Sequence, residues 1–402
     1  MRHAKKVLLL LLVITLLSQI PFAYRRYQLH KLAKAVQNIN SERRPIDPNY
    51  AFSEYKGVVH VHSFLGGHST GSFGEIISAA KSNQLQFVVM TEHLEKEFDT
   101  AEQTLKGVHA GVLFVNGNEL STNSGDRLLV LPGGTFLSDA DKLSTAEVAS
   151  KAHSQGSIAI AAYPGEFKSW QSENLTGLEV YNVFTNSRGV SPIVAFFDTL
   201  WSQRSYPDLL YATVYKRPDD GLRKWDELLS RRRVTATPGN DAHSNIGVTL
   251  VDGSGKQILG IKLDPYETSF RLVRLHVLIP RDKPLDPETL LNSIRSGHCF
   301  IGFDLFGDTS GFRFELITPT GIAIQGDEVS LRPEGRLKVT SPVSSRIVLL
   351  KDGKPLIDET GVSEKEIPIV DRGVYRVEVF LPQLGKMVGD KPWIISNPIY
   401  VK

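Results

Sequence analysis

Between residues 51 and 300, short apolar runs rich in β-branched residues alternate with helix-forming stretches, and this alternation leaves few architectures open. The runs that predict strands are Val58–His62, Gln86–Thr91, Val112–Gly117, Ser157–Tyr163, Leu178–Asn182, Arg233–Gly239 and Leu272–Leu278. Stretches such as "SFGEIISAAKSN", "STAEVASKAHSQ" and "DDGLRKWDELLSRR" predict the intervening helices. Strands that alternate with helices build a parallel sheet of the α/β class. Seven units over roughly 250 residues suit a closed (β/α) barrel better than an open sheet.

Past residue 310 the pattern changes. "FRFELITPTG", "RLKVTSP", "SRIVLLKDGKPL" and "GVYRVEVFLP" are short strands separated by Pro, Gly and Asp-Gly turn signals, with no long helical stretch among them. A small C-terminal β-sandwich is expected over 307–402, after a barrel over 51–306.

At the other end, "MRHAKKVLLLLLVITLLSQIPFAYRR" places Arg2, Lys5 and Lys6 before an apolar stretch from Val7 to Tyr24. Its length lies between the apolar core of a signal peptide and a minimal membrane span. Residues 1–24 are expected to form an uncleaved anchor or, if cleaved, a signal. Lys5 and Lys6 would stay inside, although Arg25 and Arg26 blunt the asymmetry. The rest would face the extracytoplasmic side in the bacterial manner, or be secreted after cleavage. Residues 25–50 then predict an amphipathic stalk helix that Pro45 and Pro48 stop.

The 46 basic and 44 acidic residues nearly cancel, so charge gives no case for nucleic acid. The single cysteine, Cys299, excludes an internal disulfide framework and a thiolate zinc knuckle. A metal site here has to use nitrogen and oxygen ligands.

Such ligands stand at the predicted strand ends, which in a parallel barrel converge on one face. The first strand ends in His60 and His62, whose spacing turns both imidazoles to one side. His68 follows in a loop that Gly66 and Gly67 allow to turn sharply. "VVMTEH" supplies Glu92 and His93, "NGNELST" supplies Glu119, and "GNDAH" supplies Asp241 and His243. Five histidines and three carboxylates at four strand ends point to Zn, Mn or Fe. The remaining histidines predict structural or surface roles: His3, His30, His109, His153, His276 and His298.

The motifs "HVHS…GGHST", "VVMTEH", "NGNELST" and "GNDAH" resemble the PHP (polymerase and histidinol phosphatase) superfamily over residues 54–300. Within it the chain is most similar to the stand-alone metallohydrolases with a C-terminal β domain, the carbamate-hydrolase-like group. The resemblance implies a distorted seven-stranded (β/α) barrel holding up to three divalent ions. It implies that His60, His62, Glu119 and Asp241 hold the first ion, and His68, His93 and His243 the third. Glu119 would bridge the first and second. The second site departs from the pattern: Tyr163 in "AAYPGE" stands where the family has histidine, and "LEVYN" lacks a further one. Glu179 or Asn182 are the residues nearby that could substitute. Glu92 in "TEH" replaces the usual aspartate and is expected to orient His93 or its neighbours. Two ions rather than three are therefore expected.

The implied chemistry is hydrolysis by metal-bound hydroxide, with Asp241 and Glu119 at its centre. A small-molecule or exposed phosphoester is the favoured substrate, and Arg188 in "TNSRG" is a candidate clamp for phosphate. The alternatives are a carbamate, ester or amide on the same site, or a metal-stabilised binding module with little activity.

Overall fold

A computed structural model describes residues 2–245, 247–251, 257–262, 264–331 and 334–402. Strand β1 (Phe52–Val61) pairs in parallel with β2 (Phe87–Met90), which resumes after Thr91 as β3 (Glu92–His93). β4 (Gly107–His109) folds back on β5 (Val112–Val115). β5 lies parallel to β2 and resumes as β6 (Asn118–Ser121), parallel to β3. β7 (Arg127–Leu131) runs antiparallel to both β6 and β8 (Ile158–Ala161). β9 (Gly177–Asn182) and β10 (Thr235–Gly239) follow in parallel.

The chain leaving β10 returns to β1. Asn240 N donates to Val59 O at 2.9 Å, His62 N to Ala242 O at 3.0 Å, and Ala242 N to His60 O at 3.2 Å. The succession of neighbours thus closes on itself. β2 and β8 are buried along their whole length, as strands covered on both faces must be. Their side chains are correspondingly continuous apolar runs, "FVVM" and "IAIA". The crossover helices start where the sequence provides a cap: Ser72 with Glu75, and Ser144 with Glu147, form reciprocal capping boxes.

One strand expectation is corrected here. β11 (Gly247–Val251) and β12 (Gln257–Lys262) form an antiparallel ribbon, and the chain then enters β13 (Arg274–Pro280). β13, expected over Leu272–Leu278 as a seventh parallel unit, instead pairs antiparallel with β1 and with β14 (Cys299–Gly302). Its place in the closed succession is taken by β7. A parallel return needs a crossover of a dozen or more residues, and only five separate β6 from β7. Thr122 N bonds Asp126 O at 3.0 Å in this turn, and Gly125 occupies its left-handed position at φ 78°.

The C-terminal strands are β15 (Arg313–Thr318), β16 (Gly321–Ile324), β17 (Glu328–Val329), β18 (Arg336–Lys351), β19 (Lys354–Pro368), β20 (Gly373–Phe380), β21 (Pro392–Ser396) and β22 (Ile399–Val401). β18 pairs with β15 along its first residues and with β20 along its last. β21 joins β14 in register Phe300↔Ser396, so this sheet is continuous with the one that contains β1.

Helix α1 (Arg2–Ser41) runs unbroken across the boundary expected after residue 24. Leu29, Leu32 and Ile39 recur at helical spacing and are buried, which docks the second half against the body. Arg43 beyond it pairs with Asp308 at 3.0 Å. The first half is exposed from Val7 to Leu17 and long and apolar enough to cross a membrane.

Candidate metal centre

His60 is the penultimate residue of β1, and His62 follows that strand. Both imidazoles reach one carboxylate: His60 Nε2 and His62 Nε2 each lie 3.2 Å from Glu119 Oε2, on β6. Asp241, just past β10, brings Oδ1 within 3.4 Å of His60 Nε2 and 3.7 Å of His62 Nε2. All four residues are buried, with ligand atoms within 4.8 Å of one another. A second group adjoins it: the rings of His93 and His243 both stack on His62, centroids 4.7 and 4.4 Å away, and the ligand nitrogens of the three lie within 4.8 Å of one another.

The backbone is bent to achieve this. His60 has φ 72° and Asp241 φ 50°, left-handed values uncommon outside glycine. The β1–β2 register slips between Val59 and Val61, so His60 sits on a bulge that re-aims its side chain. Asn240 anchors the other segment, donating from Nδ2 to Ser269 O and Val273 O, both at 3.1 Å. The glycines at the turn after β1 serve different purposes: Gly67 is left-handed at φ 66°, whereas a Cβ on Gly66 would lie 2.9 Å from His93 N.

Protonation follows from the surroundings. Burial by itself would depress His60, but Glu179, Asp241 and Glu119 outweigh it and raise its pKa well above the usual imidazole range. Glu179 Oε1 stands 2.6 Å from His60 Nδ1 and accepts that nitrogen's hydrogen bond, which sets Nε2 as the nitrogen facing Glu119 and Asp241. Burial lowers His62 and His243, and brings His93 down to about 4, so these rings are neutral near pH 7. Burial opposes ionisation of Glu119, yet His60 and His62 hold its carboxyl well below the usual range.

His62 Nε2, Asp241 Oδ1, Glu119 Oε1 and His243 Nε2 are buried without a hydrogen-bond partner. Such atoms are costly to leave bare, and their number and chemistry in one place fit divalent cations. The remaining acceptor of Asp241 is occupied: Tyr163 OH donates to Oδ2 at 2.9 Å, and Asn182 Nδ2 lies 3.4 Å from the same atom.

Four motifs spread between His60 and His243 thus meet in one pocket. The chain resembles the PHP metallohydrolases. No family model matches the sequence, and no curated protein does. Among solved structures it is similar to a two-domain protein from Bacteroides vulgatus containing a predicted PHP-like metal-dependent phosphoesterase. That match has 14% identity and TM-score 0.37, covering 89% of this chain and 98% of that one. It is also similar to PsfC from Pseudomonas syringae, at 13% identity and TM-score 0.36, covering 60% and 90% of the two chains.

Against the PHP pattern, Tyr163 occupies the histidine position with φ 50° and serves Asp241 as a donor. Glu179 and Asn182, the possible replacement ligands, are engaged with His60 and with each other at 3.1 Å. His68 lies exposed at the rim, its ring centroid 5.3 Å from His93 and 5.5 Å from His243, outside both close groups. The Glu92 carboxylate is spent elsewhere than on the His93 ring: it accepts from Ser63 N and Oγ at 2.9 and 2.6 Å and from Thr104 Oγ1 at 2.7 Å. It thereby fixes the turn that leads to His68.

A cleft of about 780 Å³ opens above the centre. Arg188 lines it, with its guanidinium paired to Glu166 and set over the Phe184 ring. Arg127 lines it too and approaches Glu119 Oε1 at 3.7 Å. Sequence reasoning missed Arg127 because it opens β7, the strand that the helix-alternating pattern did not reveal. The Gly-Asp turn signal before it was the available clue.

Of the other histidines, His276 is buried between Glu54 at 2.8 Å and Asp304 at 3.3 Å, and His298 pairs with Asp327 at 2.9 Å. His153 is exposed on its helix.

Proposed function

We propose that this chain is a metal-dependent hydrolase of phosphoesters, with a distorted (β/α) barrel over 51–306 and a β-sandwich over 307–402. The observation that carries this reading is the buried meeting of His60, His62, Glu119 and Asp241 beneath an open cleft. His62, His93 and His243 would hold a second ion beside it, with His68 completing its surroundings from the rim. When bound, such ions polarise the ester and acidify a water molecule.

The protein's own groups prepare that chemistry. Glu179 accepts the Nδ1 hydrogen bond of His60 and so aims Nε2 at Glu119 and Asp241, where an ion would take the place of the Nε2 proton. Tyr163 holds one oxygen of Asp241 and leaves the other free, which fixes the carboxylate's orientation. Arg127 places a guanidinium at the cleft floor, where it favours an anionic substrate over a neutral carbamate or amide. Arg188 sits further out, held by Glu166.

Residues 1–24 act as the anchor in this reading. Lys5 and Lys6 precede the apolar stretch, whereas Arg25 and Arg26 are engaged by Asp198 and by the Trp201 carbonyl. The Arg25 charge is thus paired within the protein, which favours an extracytoplasmic body.

The test is metal content and turnover of the full chain, loaded with Mn or Zn, on an aryl phosphate and an aryl carbamate. Phosphate turnover that falls about a thousandfold in Asp241→Asn is expected. Metal binding without turnover of either would favour a binding module.

A further inference from the structure

The helix Pro192–Ser202 follows β9 and forms part of the wall of the cleft through Ala195, Asp198 and Thr199. Its opposite face is apolar and uncovered: Ile193, Phe196 and Leu200 are 69%, 62% and 68% exposed. Their spacing sets them on one stripe.

The same helix packs against α1 at a definite level. Trp201 Nε1 donates to Gln19 Oε1 at 3.0 Å, the Phe22 and Phe197 rings stand 4.9 Å apart, and Arg25 pairs with Asp198 at 2.6 Å. Further on, His30 meets Tyr206 at 2.8 Å. These contacts flank the end of the apolar stretch. Eighteen residues from Val7 to Tyr24 rise about 27 Å, close to the ~30 Å hydrocarbon thickness of a bilayer. With Lys5 and Lys6 at one boundary, Phe22 and Tyr24 lie at the other, and the helix that packs against Gln19, Phe22 and Arg25 lies there as well. Tyr24 and Tyr27 are exposed at and just past that end of the stretch, where aromatic side chains favour the membrane interface.

We propose that Pro192–Ser202 lies in the lipid–water interface beside α1, and that the cleft it walls takes its phosphoester from an amphiphile held in the same bilayer. This rests on the hydrolase and anchor reading above. The cleft wall nearest the helix is apolar, through Val183, Phe184, Val190, Leu210 and Val214, which suits the tail end of such a substrate. The phosphoryl group then meets Arg127 and the metal centre. Water cleaves the phosphoester bond, releasing phosphate to the solvent and leaving the alcohol in the membrane.

The full chain, reconstituted in vesicles of phosphatidylethanolamine and phosphatidylglycerol, carries a nitroxide at Leu12→Cys, Phe196→Cys or Val370→Cys. Collision with oxygen is compared with collision with a water-soluble nickel chelate. Labels at 12 and 196 are expected to favour oxygen and the label at 370 the chelate. A lipid reading at 12 with an aqueous reading at 196 overturns the docking and leaves the anchor standing. An aqueous reading at 12 fails the anchor itself. For substrate, Ile193→Ser/Phe196→Ser/Leu200→Ser should lower turnover of bilayer phosphatidic acid about tenfold while leaving that of its short-chain soluble form unchanged. Equal loss on both, or on neither, overturns the substrate assignment. Absence of turnover by the unmodified chain on both fails the hydrolase reading, and the label depths still decide the docking.

Discussion

Glu179 holds the Nδ1 edge of His60, and what His60 offers to the centre depends on that 2.6 Å bond. Glu179→Gln keeps the shape but removes the charge, so metal affinity should fall roughly ten- to a hundredfold with little change in melting temperature. Titration of a competing chelator checks this. Tyr163 gives a second test at the same scale. Its φ of 50° is one that histidine tolerates, so Tyr163→His should fold and raise the number of ions bound by one. Elemental analysis of both proteins decides it, and three ions already present in the unsubstituted chain would contradict this account of the second site. In the sequence, Glu179 reads as a spare ligand because residue type alone does not distinguish a ligand from the group that orients one. The spacing of His60 and His62 gave the right partners for an incomplete reason. Strand alternation puts them on one side, but the bulge at His60 sets its final aim.

At the scale of elements, β9 and β10 lie so close that Gly239 has no room for a side chain. A Cβ there would stand 2.1 Å from Glu179 Oε1. Gly239→Ala should therefore destabilise the fold by about 1–3 kcal/mol and loosen metal binding together, read by denaturant unfolding with and without metal. A loss of stability with metal affinity intact would show that β10 can shift without moving Glu179. Most strands were legible because uninterrupted apolar runs of four to seven residues mark buried strands between helices. β7 and β13 were not correctly placed, because strand direction depends on connection length and on which edge is free, neither of which is written in the apolar pattern.

Across the whole molecule, a buried ionic cluster ties β1 and β13 to the start of the C-terminal sheet. Glu54 bonds both His276 at 2.8 Å and Arg313 at 2.6 Å, while Asp304 bonds Arg274 at 3.1 Å. Burial alone would depress His276, but Asp304 and Glu54 bring it up to about 9. Burial opposes ionisation of Glu54 and Asp304, yet His276 with Arg313 or Arg274 holds both below the usual carboxylate range. Because the folded pKa of His276 is raised, its stabilisation is complete below about pH 6.5 and is lost as pH rises through about 9. The two carboxylates act in the opposite sense, stabilising above their unfolded values near 4 and failing as pH drops below that range. Melting temperature against pH should be highest between about 5 and 6.5, and His276→Gln should flatten the alkaline side specifically. An alkaline limb that survives the substitution would assign the loss elsewhere. The sequence by itself determined the alternation of strands and helices, the apolar N-terminal stretch and the residue types that gather at strand ends, since these follow from local periodicity and donor chemistry. The tertiary structure alone decided that Glu179 orients His60, that Arg127 enters the cleft, and that α1 meets the cleft wall. Those are contacts between residues tens to hundreds of positions apart, and pairing, register and packing fix them where no local pattern can.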